Sequence, residues 1–233
     1  MATLSIRREQ FRLAQVFTIS RGSRTHAEVV VVEITDGGHR GRGECVPYSR
    51  YGESVDSVVA QIEGVTAAVV AGADRMAIQS LLPAGAARNA VDCALWDLEA
   101  KRAGQPAWRL AGLEKAPGPL TTAYTLSLDT PEKMGQAAAA NSHRPLLKIK
   151  LTGEGDLARV EAIRANAPSS RLIVDANEGW SEGHFPEYAP KLAALGVVLI
   201  EQPLHADRDG PLARIARPIP VCADEACHDR HSL

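Results

Sequence analysis

Four charged residues recur at a nearly constant interval in the second half of the sequence. Lys150, Asp175, Glu201 and Asp224 follow one another at intervals of 25, 26 and 23 residues. Each lies at or just after the end of a continuously hydrophobic segment, which is typical of a strand buried on both faces. The interval is close to one strand–helix unit. We therefore expect the four side chains to meet at the carboxyl ends of parallel strands, where sites are built in α/β proteins.

The residue types at these positions predict a metal site beside a basic group. Three converging carboxylates, Asp175, Glu201 and Asp224, would repel one another without a cation between them. Hard oxygen ligands of this kind suit Mg²⁺. In the segment LKIKL, Lys148 and Lys150 lie on one face of a strand because side chains alternate with period two. Each ammonium makes the other harder to charge, so we expect a lysine pKa lowered toward the range of a general base.

Two other interpretations of these residues are weaker. Acids and lysines at strand ends also form solvated ion pairs, which would be the better interpretation for any one of them alone. Their common interval favours a site instead. A zinc site at Cys222, Cys227 and His228 is disfavoured because C-x4-C-H lacks the spacing of a structural zinc site. The four cysteines have neither a C-x-x-C pair nor dense spacing, so we expect buried, reduced thiols.

The first half of the sequence predicts strands followed by helices. The segment AEVVVVEITDGGHRGRGECV reads as two β-branched-rich runs joined by a glycine turn, which indicates a hairpin. Apolar residues at helical spacing follow in SVDSVVAQIEGVTAAVVAG and AARNAVDCALWDLEAKRAG. Separate blocks of strands and helices predict an α+β domain over residues 1–117. The segment EKAPGPL, rich in proline and glycine, marks its boundary.

The pattern changes to an α/β repeat from residue 118. Four buried strands are predicted in PLLKIKL, RLIVDAN, GVVLIEQP and PIPVCADE, with helical stretches between them and one earlier strand in TTAYTLS. This predicts a TIM-like α/β barrel domain over residues 118–233. Five such strands are too few to close an eight-stranded barrel, which typically needs about 250 residues, so we expect the barrel to be incomplete.

Composition excludes two classes of partner. The formal net charge is −2, and lysines and arginines are scattered, so there is no basic stripe of the kind that binds nucleic acid. The first residues lack the apolar core of a secretory signal, and no apolar run is long enough for a membrane span. We expect a cytoplasmic protein that does not act at a membrane.

The motifs at the strand ends resemble those of a known superfamily. LKIKL, VDANEGW, IEQP and ADE, in this order and spacing, resemble the enolase superfamily, specifically its muconate-lactonizing-enzyme-like group. Within that group they are most similar to dipeptide epimerases acting on L-Ala-D/L-Glu. GRGECVPYSRYGES and NAVDCALWDLEAK resemble the capping domain of these enzymes, so the resemblance covers nearly the whole chain. The fold it implies is an α+β capping domain followed by a (β/α)7β barrel.

The resemblance implies roles for the residues at the repeated interval. Asp175, Glu201 and Asp224 would be the Mg²⁺ ligands. Lys150 would be one acid/base catalyst, with Lys148 as its electrostatic partner. The metal would hold the substrate carboxylate and stabilise the enediolate that forms when the α-proton leaves.

Further roles are implied around this centre. Asn177 and Glu225 would support the site from behind the ligands. The loop ISRGSRTH of the capping domain would close over the substrate. Arg24, or failing that Arg21, would grip the distal carboxylate of a Glu-like residue, because guanidinium pairs with carboxylate in a bidentate manner. Thr125 is a further candidate for substrate binding.

The function implied is Mg²⁺-dependent epimerisation of a dipeptide such as L-Ala-D/L-Glu, an isomerase reaction, with a homo-oligomer as a possible assembly. Cycloisomerase and acid-sugar dehydratase activities would use the same metal site. In the family a second lysine and an Asp-x-Asp segment would both lie beyond Leu233, so we interpret the chain as C-terminally truncated. The alternative for the isolated chain is an inactive fragment. Ala226 stands where family members usually have Ser, which leaves the precise substrate open.

Overall fold

The computed structural model describes residues 2–232, and these form two compact units. The N-terminal unit comprises residues 2–13 and His26–Pro119, and the C-terminal unit comprises Ala14–Thr25 and residues 120–232. The sequence predicted a division after residue 117, but it did not anticipate that an early segment would belong with the second half of the chain. Within residues 2–232, no helix has the length and apolar character that crossing a membrane requires.

The N-terminal half begins with a three-stranded sheet in the order β1-β2-β3 and continues with helices. Its elements are β1 (Thr3–Ile19), β2 (Gly22–Asp36), β3 (His39–Cys45), α1 (Val55–Val70), α2 (Arg75–Leu81), α3 (Ala86–Arg102) and α4 (Ala107–Leu110). The predicted hairpin is confirmed, because β2 and β3 pair antiparallel through Asp36 and His39. Both turn residues, Gly37 and Gly38, have positive φ, which glycine adopts without steric cost.

Two glycines let helix α3 pack directly on strand β3. A Cβ at Gly41 would clash with the carbonyl oxygen of Ala94, and one at Gly43 with that of Ala90. Both alanines are fully buried, and at Gly41 the backbone and Cβ of Leu98 also lie at the contact. The backbones of helix and strand can therefore approach closely, which fixes the position of α3 on the sheet.

The C-terminal unit is an α/β repeat around a parallel sheet in the order β4-β5-β6-β7-β8. Its elements are β4 (Tyr124–Leu126), α5 (Pro131–Ala140), β5 (Leu146–Lys150), α6 (Asp156–Asn166), β6 (Arg171–Asp175), α7 (His184–Ala194), β7 (Val197–Glu201) and β8 (Val221–Cys222). All five predicted strands are present, and the predicted fold class is confirmed. The five parallel strands form part of a barrel rather than a closed one.

The core of the C-terminal unit lies on one face of the sheet. In β5, Leu147 and Ile149 are fully buried in the apolar cluster, which also takes Val160 and Ile163 from α6. Burial of each such side chain contributes about 1.5–3 kcal/mol. Because neighbours alternate along a strand, Lys148 and the end of β5 face the opposite side. The apolar core thus determines which face carries the charged residues.

Candidate active site

Strand register brings the residues of the repeated interval to one end of the sheet. Lys150, Asp175 and Glu201 are the last residues of β5, β6 and β7, and they are partners in the register of adjacent strands. Asp224 follows β8 by two residues. Because the strands are parallel, all four side chains lie at their carboxyl ends, as the interval predicted.

The centre of this end is a buried ion pair between β5 and β6. Lys150 donates from Nζ to Asp175 Oδ2 at 2.6 Å and to Asn177 Oδ1 at 2.9 Å. The carboxylate of Asp175 is fully buried. A buried charge is stable only with a partner and hydrogen bonds, so this pair constrains both side chains. Lys150 therefore has a fixed ammonium position beside the carboxylate.

Lys148 lies between two of the predicted metal ligands. Its Nζ is 2.9 Å from Asp175 Oδ2 and 2.7 Å from the carboxylate of Glu201. Burial by itself lowers the pKa of Lys148, but the hydrogen bond to Glu201 and the charge of Asp175 outweigh it and leave that pKa above its ordinary value. The expectation of a lowered pKa is therefore wrong for Lys148, because the acids act more strongly on it than the neighbouring ammonium does.

The three carboxylates differ in how easily they ionise. Burial alone would raise the pKa of Asp175, but the ammonium groups of Lys150 and Lys148 hold it below its ordinary value. Burial raises the pKa of Glu201, and the charge of Asp175 adds to this effect. Burial and the charge of its neighbour Glu225 raise the pKa of Asp224. The cluster thus has an excess of negative charge that a cation would relieve.

The chemistry of this donor set fits Mg²⁺. Hard carboxylate oxygens from Asp175, Glu201 and Asp224 are the ligands that this ion prefers, and the ammonium of Lys148 already lies between two of them where a cation is favoured. Within residues 2–232, no group of three or more His, Cys, Asp or Glu side chains is arranged to hold a metal ion. The assignment of the three ligands stays a prediction.

The segment after β6 holds Asn177 in an unusual backbone conformation. Asn177 and Glu178 have φ of 43° and 65°, a backbone region that residues other than glycine seldom adopt. The backbone N–H of Asn177 donates to Asp175 Oδ1 at 2.9 Å, and its Nδ2 donates to Glu225 Oε1 at 3.2 Å. These bonds aim the amide oxygen of Asn177 at Lys150. The side chain of Asn177 therefore links the segments after β6 and β8.

Gln202 fixes the segment that carries Asp224, and sequence analysis missed it. The residue is buried and has φ of 30°. Its Oε1 accepts from the backbone N–H of Asp224 at 2.9 Å and from that of Ala226 at 3.0 Å. The motif IEQP contains the signal, because an amide directly after the Glu201 carboxylate can bridge to the next strand end.

Arg21 makes several contacts with the protein itself. It donates to the carbonyl oxygen of Asn177 at 2.8 Å, to Glu178 Oε2 at 3.3 Å and to Glu225 Oε1 at 2.7 Å. The segment ISRGSRTH is not an open loop: β1 and β2 run through it, and only Ser20 and Arg21 form the turn. Glu225 Oε2 is buried without a hydrogen-bond partner within residues 2–232.

The two other candidates for substrate binding, Arg24 and Thr125, both belong to the C-terminal unit. The guanidinium of Arg24 lies over the ring of Phe17, with Cζ 5.7 Å from the ring centroid. Thr125 is half-buried in β4 and is the register partner of Lys148. Thr125 therefore lies beside the lysine pair on the adjacent strand.

The cysteines are reduced, as expected, but most of them are not buried. Cys45 is buried, and burial raises the pKa of its thiol to about 11. Cys93, Cys222 and Cys227 are exposed. The expectation of burial is wrong for these three because hydrophobic residue type does not by itself decide which face of an element is covered.

Family models match both halves of the chain. The N-terminal domain of mandelate racemase/muconate lactonizing enzyme matches residues 1–112, and the enolase C-terminal domain-like family matches residues 132–233. The chain belongs to the mandelate racemase/muconate lactonizing enzyme family of the enolase superfamily. The resemblance inferred from LKIKL, VDANEGW, IEQP and ADE is thereby confirmed.

Similar proteins within the family are epimerases. The L-Ala-D/L-Glu epimerase of Escherichia coli is 45% identical over 235 residues, which cover 100% of this chain and 73% of that protein. A structure from Agrobacterium tumefaciens, an enolase family member with homology to dipeptide epimerases, has bound sodium and L-Ala-L-Glu. It is 50% identical, with a TM-score of 0.96, and the match covers 100% of this chain and 71% of that one. The prediction of an isomerase is confirmed by relatives of this kind.

A further structure contains the predicted metal. The dipeptide epimerase of Cytophaga hutchinsonii, complexed with Mg and D-Ala-L-Val, is 32% identical, with a TM-score of 0.87. The match covers 97% of this chain and 65% of that one. Mg²⁺, predicted here from three carboxylates, thus accompanies a dipeptide in a structure of this family. The chain spans between about two thirds and three quarters of the length of these three relatives.

Proposed function

We propose that this chain supplies the capping domain and the metal-bearing strands of a Mg²⁺-dependent epimerase that inverts the α-carbon of a dipeptide with an acidic residue, such as L-Ala-D/L-Glu. The observation that carries the proposal is the row of Lys150, Asp175 and Glu201 in register at three adjacent strand ends. The row supports the assignment of Lys150 as a base beside carboxylates that would attract a cation. The similarity to the epimerase of Escherichia coli supports the choice of substrate class.

Lys150 is the proposed base and acid on one face of the substrate. Its Nζ has two acceptors, Asp175 Oδ2 and Asn177 Oδ1, which fix its direction. Neutral Lys150 takes the α-proton at Nζ, and the ammonium so formed is stabilised by the Asp175 carboxylate. Return of the proton to the opposite face needs a second group there. We propose that this group belongs to the part of the barrel by which the relatives exceed this chain.

The three carboxylates would hold the metal that offsets the negative charge developing on the substrate. When bound by Asp175, Glu201 and Asp224, Mg²⁺ would supply positive charge that favours the carbanionic form of the substrate. Lys148 bridges Asp175 and Glu201, so it keeps the two acids apart and adds a second positive charge at the same place. The role of Lys148 is electrostatic, whereas Lys150 exchanges the α-proton with the substrate.

The proposal gives Arg24 the role of binding the acidic side chain of the substrate. Arg24 is exposed and its guanidinium lies over the Phe17 ring, and a guanidinium can bind a carboxylate through two parallel hydrogen bonds. Arg21 instead binds Glu225 and the segment after β6, so it orients the hairpin turn. The preference between the two arginines thus follows from their partners.

The test is proton exchange in D₂O, followed by NMR on the full-length protein, with L-Ala-L-Glu and L-Ala-D-Glu as separate substrates. Lys150→Ala should lower α-proton exchange with one diastereomer by about 10²–10⁴-fold, because a positioned acid/base group contributes that much. Lys148→Ala should leave slow exchange with a shifted pH profile.

A matched control is Lys191→Ala, since Lys191 is an exposed lysine whose one ion pair among residues 2–232 is with Glu187, one helical turn away. It should leave exchange unchanged. Equal losses on both diastereomers in Lys150→Ala, with no change of pH profile in Lys148→Ala, would contradict the assigned roles.

A further inference from the structure

A buried carboxylate at the start of α6 joins the segments that follow β5 and β6. Asp156 is fully buried, yet it is not part of the proposed proton transfer. Its Oδ2 accepts from the backbone N–H of Gly153 at 2.7 Å and of Thr152 at 3.1 Å, and from Trp180 Nε1 at 2.7 Å. Its Oδ1 accepts from Arg159 at 3.0 Å. One side chain thus holds backbone from the β5 segment and an indole from the β6 segment.

The two segments also touch backbone to backbone. An added Cβ on Gly179 would lie 3.0 Å from the carbonyl oxygen of Thr152 and 2.8 Å from that of Ala176. One on Gly153, where φ is 122°, would lie 3.2 Å from the carbonyl oxygen of Gly179. The N–H of Leu151 donates to the carbonyl oxygen of Asp175 at 2.9 Å. Glycines at these positions permit an approach that larger residues would prevent.

The indole is held in one orientation by aromatic neighbours. Trp180 packs edge-to-face against Phe185, with ring centroids 6.3 Å apart, and against Tyr188 at 5.5 Å. It is almost fully buried, so its N–H needs a protein acceptor. The indole N–H of Trp180 donates to Asp156 Oδ2, whose residue is 24 positions earlier and belongs to the preceding strand–helix unit.

These contacts lie next to the reacting groups. Lys150 is two residues before Thr152, and Asn177, which accepts from Lys150, is three residues before Trp180. A change of about 1 Å in the separation of such groups can cost about 10²-fold in rate. Holding the loop before α6 would require only the bonds from the backbone N–H groups of Thr152 and Gly153, so the bond from Trp180 indicates a second task.

We infer that Asp156 and Trp180 are positioning residues that lock the Lys150 end of β5 to the Asp175–Asn177 end of β6. Neither residue touches the substrate; the hydrogen bond between them fixes the distance at which Lys150 is presented. The lock is a property of the fold, and its effect on catalysis rests on the proposed function.

The first test follows amide hydrogen exchange in the protein and needs no substrate. Asp156→Asn and Trp180→Phe are compared with the unchanged protein. Trp180→Phe keeps an aromatic ring between Phe185 and Tyr188 but removes the N–H. In both variants we expect exchange of the amides of residues 151–153 and 177–180 to accelerate about tenfold or more, in both segments together.

Controls separate this effect from loss of a carboxylate at the start of a helix or of a tryptophan. Asp74→Asn removes a capping carboxylate at the start of α2, and Trp108→Phe changes a tryptophan on α4. Neither should alter exchange at residues 151–153 or 177–180. Acceleration confined to the segment that carries the substitution would overturn the lock. If Asp156→Asn does not fold, Trp180→Phe alone decides.

The second test is kinetic, on the full-length enzyme. Each variant should lower kcat about tenfold or more, with KM changed less than twofold, and the double variant should be no worse than the single ones because both act through one bond. Exchange with the diastereomer that Lys150 deprotonates should fall more than exchange with the other. Additive losses, or equal effects on both diastereomers, would overturn the positioning role. If the unchanged enzyme exchanges neither diastereomer while the amide result holds, the lock stands and the proposed function fails.

Discussion

Two arginines three positions apart in the sequence have different partners. Arg21 is surrounded by acceptors of the protein, two carboxylates and a carbonyl oxygen, whereas Arg24 lies over an aromatic ring. A guanidinium whose donors are already used cannot also bind a ligand carboxylate in a bidentate manner. At the scale of single residues, the partners of a charged group decide its task more than its type does.

Substitution of the two arginines should therefore have different kinetic effects. In the full-length enzyme, Arg24→Met should raise KM for L-Ala-L-Glu by about 10- to 100-fold, because a hydrogen bond to a charged group contributes about 1.5–3 kcal/mol. Arg21→Met should change KM less and lower kcat instead, since it frees Asn177 and Glu225. Steady-state kinetics of both variants measure this, and a larger rise of KM in Arg21→Met would contradict it.

At the scale of elements, close backbone contacts depend on positions without a Cβ. Gly43 on β3 faces the carbonyl oxygen of Ala90 on α3, and Gly179 after β6 faces that of Thr152 after β5. Interiors are close-packed, so even one added methyl group must displace a neighbour. Where the neighbour is backbone, the displacement involves a whole helix or segment.

The same substitution at two glycines should have opposite effects on stability. Gly43→Ala should lower the free energy of unfolding by about 1–3 kcal/mol or more, because overpacking against α3 has no flexible side chain to move aside. Gly64, in the interior of α1, is exposed with nothing within 4 Å of an added Cβ. Gly64→Ala should raise stability by up to about 1 kcal/mol through helix propensity.

Urea denaturation of both variants gives the comparison. If both substitutions changed the free energy of unfolding in the same direction, the contact between α3 and β3 would not limit stability. A decrease in Gly43→Ala together with an unchanged slope against urea would locate the effect in the folded state.

At the scale of the whole molecule, the proposed metal site needs three strand–helix units to fold together. Asp175, Glu201 and Asp224 are contributed by the ends of three different strands, so none of them can bind a metal with its proposed partners until the parallel sheet has formed. A ligand that binds only the folded state stabilises it by mass action. Metal binding and the stability of the parallel sheet are therefore linked.

Mg²⁺ should raise the free energy of unfolding by about 2.7 kcal/mol when its concentration is 100 times Kd. Asp224→Asn should weaken Mg²⁺ binding and reduce this stabilisation, because one charged ligand is lost. Titration calorimetry and thermal unfolding with and without Mg²⁺ measure the two effects.

The matched control is Asp207→Asn, since Asp207 is an exposed carboxylate whose only ion pair within residues 2–232 is with His205. It should leave Mg²⁺ binding unchanged. Equal Mg²⁺ affinity in Asp224→Asn and the unchanged protein would remove Asp224 from the proposed ligands.

Local patterns in the sequence were enough to predict the order of elements and the end of the sheet where charged residues meet. Continuous hydrophobic runs, each finishing with a charged residue, predicted β5, β6 and β7 and the positions of Lys150, Asp175 and Glu201. This prediction succeeded because a strand buried on both faces is recognised from its own residues. Strands that recur at a constant interval in a parallel sheet also have their carboxyl ends at the same edge. The glycine turn between β2 and β3 was equally local.

The partner of each side chain depends on the folded arrangement of separate segments. The two lysines were expected to lower each other's pKa, but Lys148 lies between Asp175 and Glu201, and the acids reverse the direction of its pKa shift. The contact of Asp156 with Trp180 joins residues 24 positions apart, and that of Arg21 with Glu225 joins residues 204 apart. Such pairs depend on how separate segments come together, and no local pattern of residue types specifies their distances. The pKa shifts and hydrogen-bond partners of the charged residues therefore depend on the tertiary structure, whereas the order of the buried strands can be predicted from local sequence.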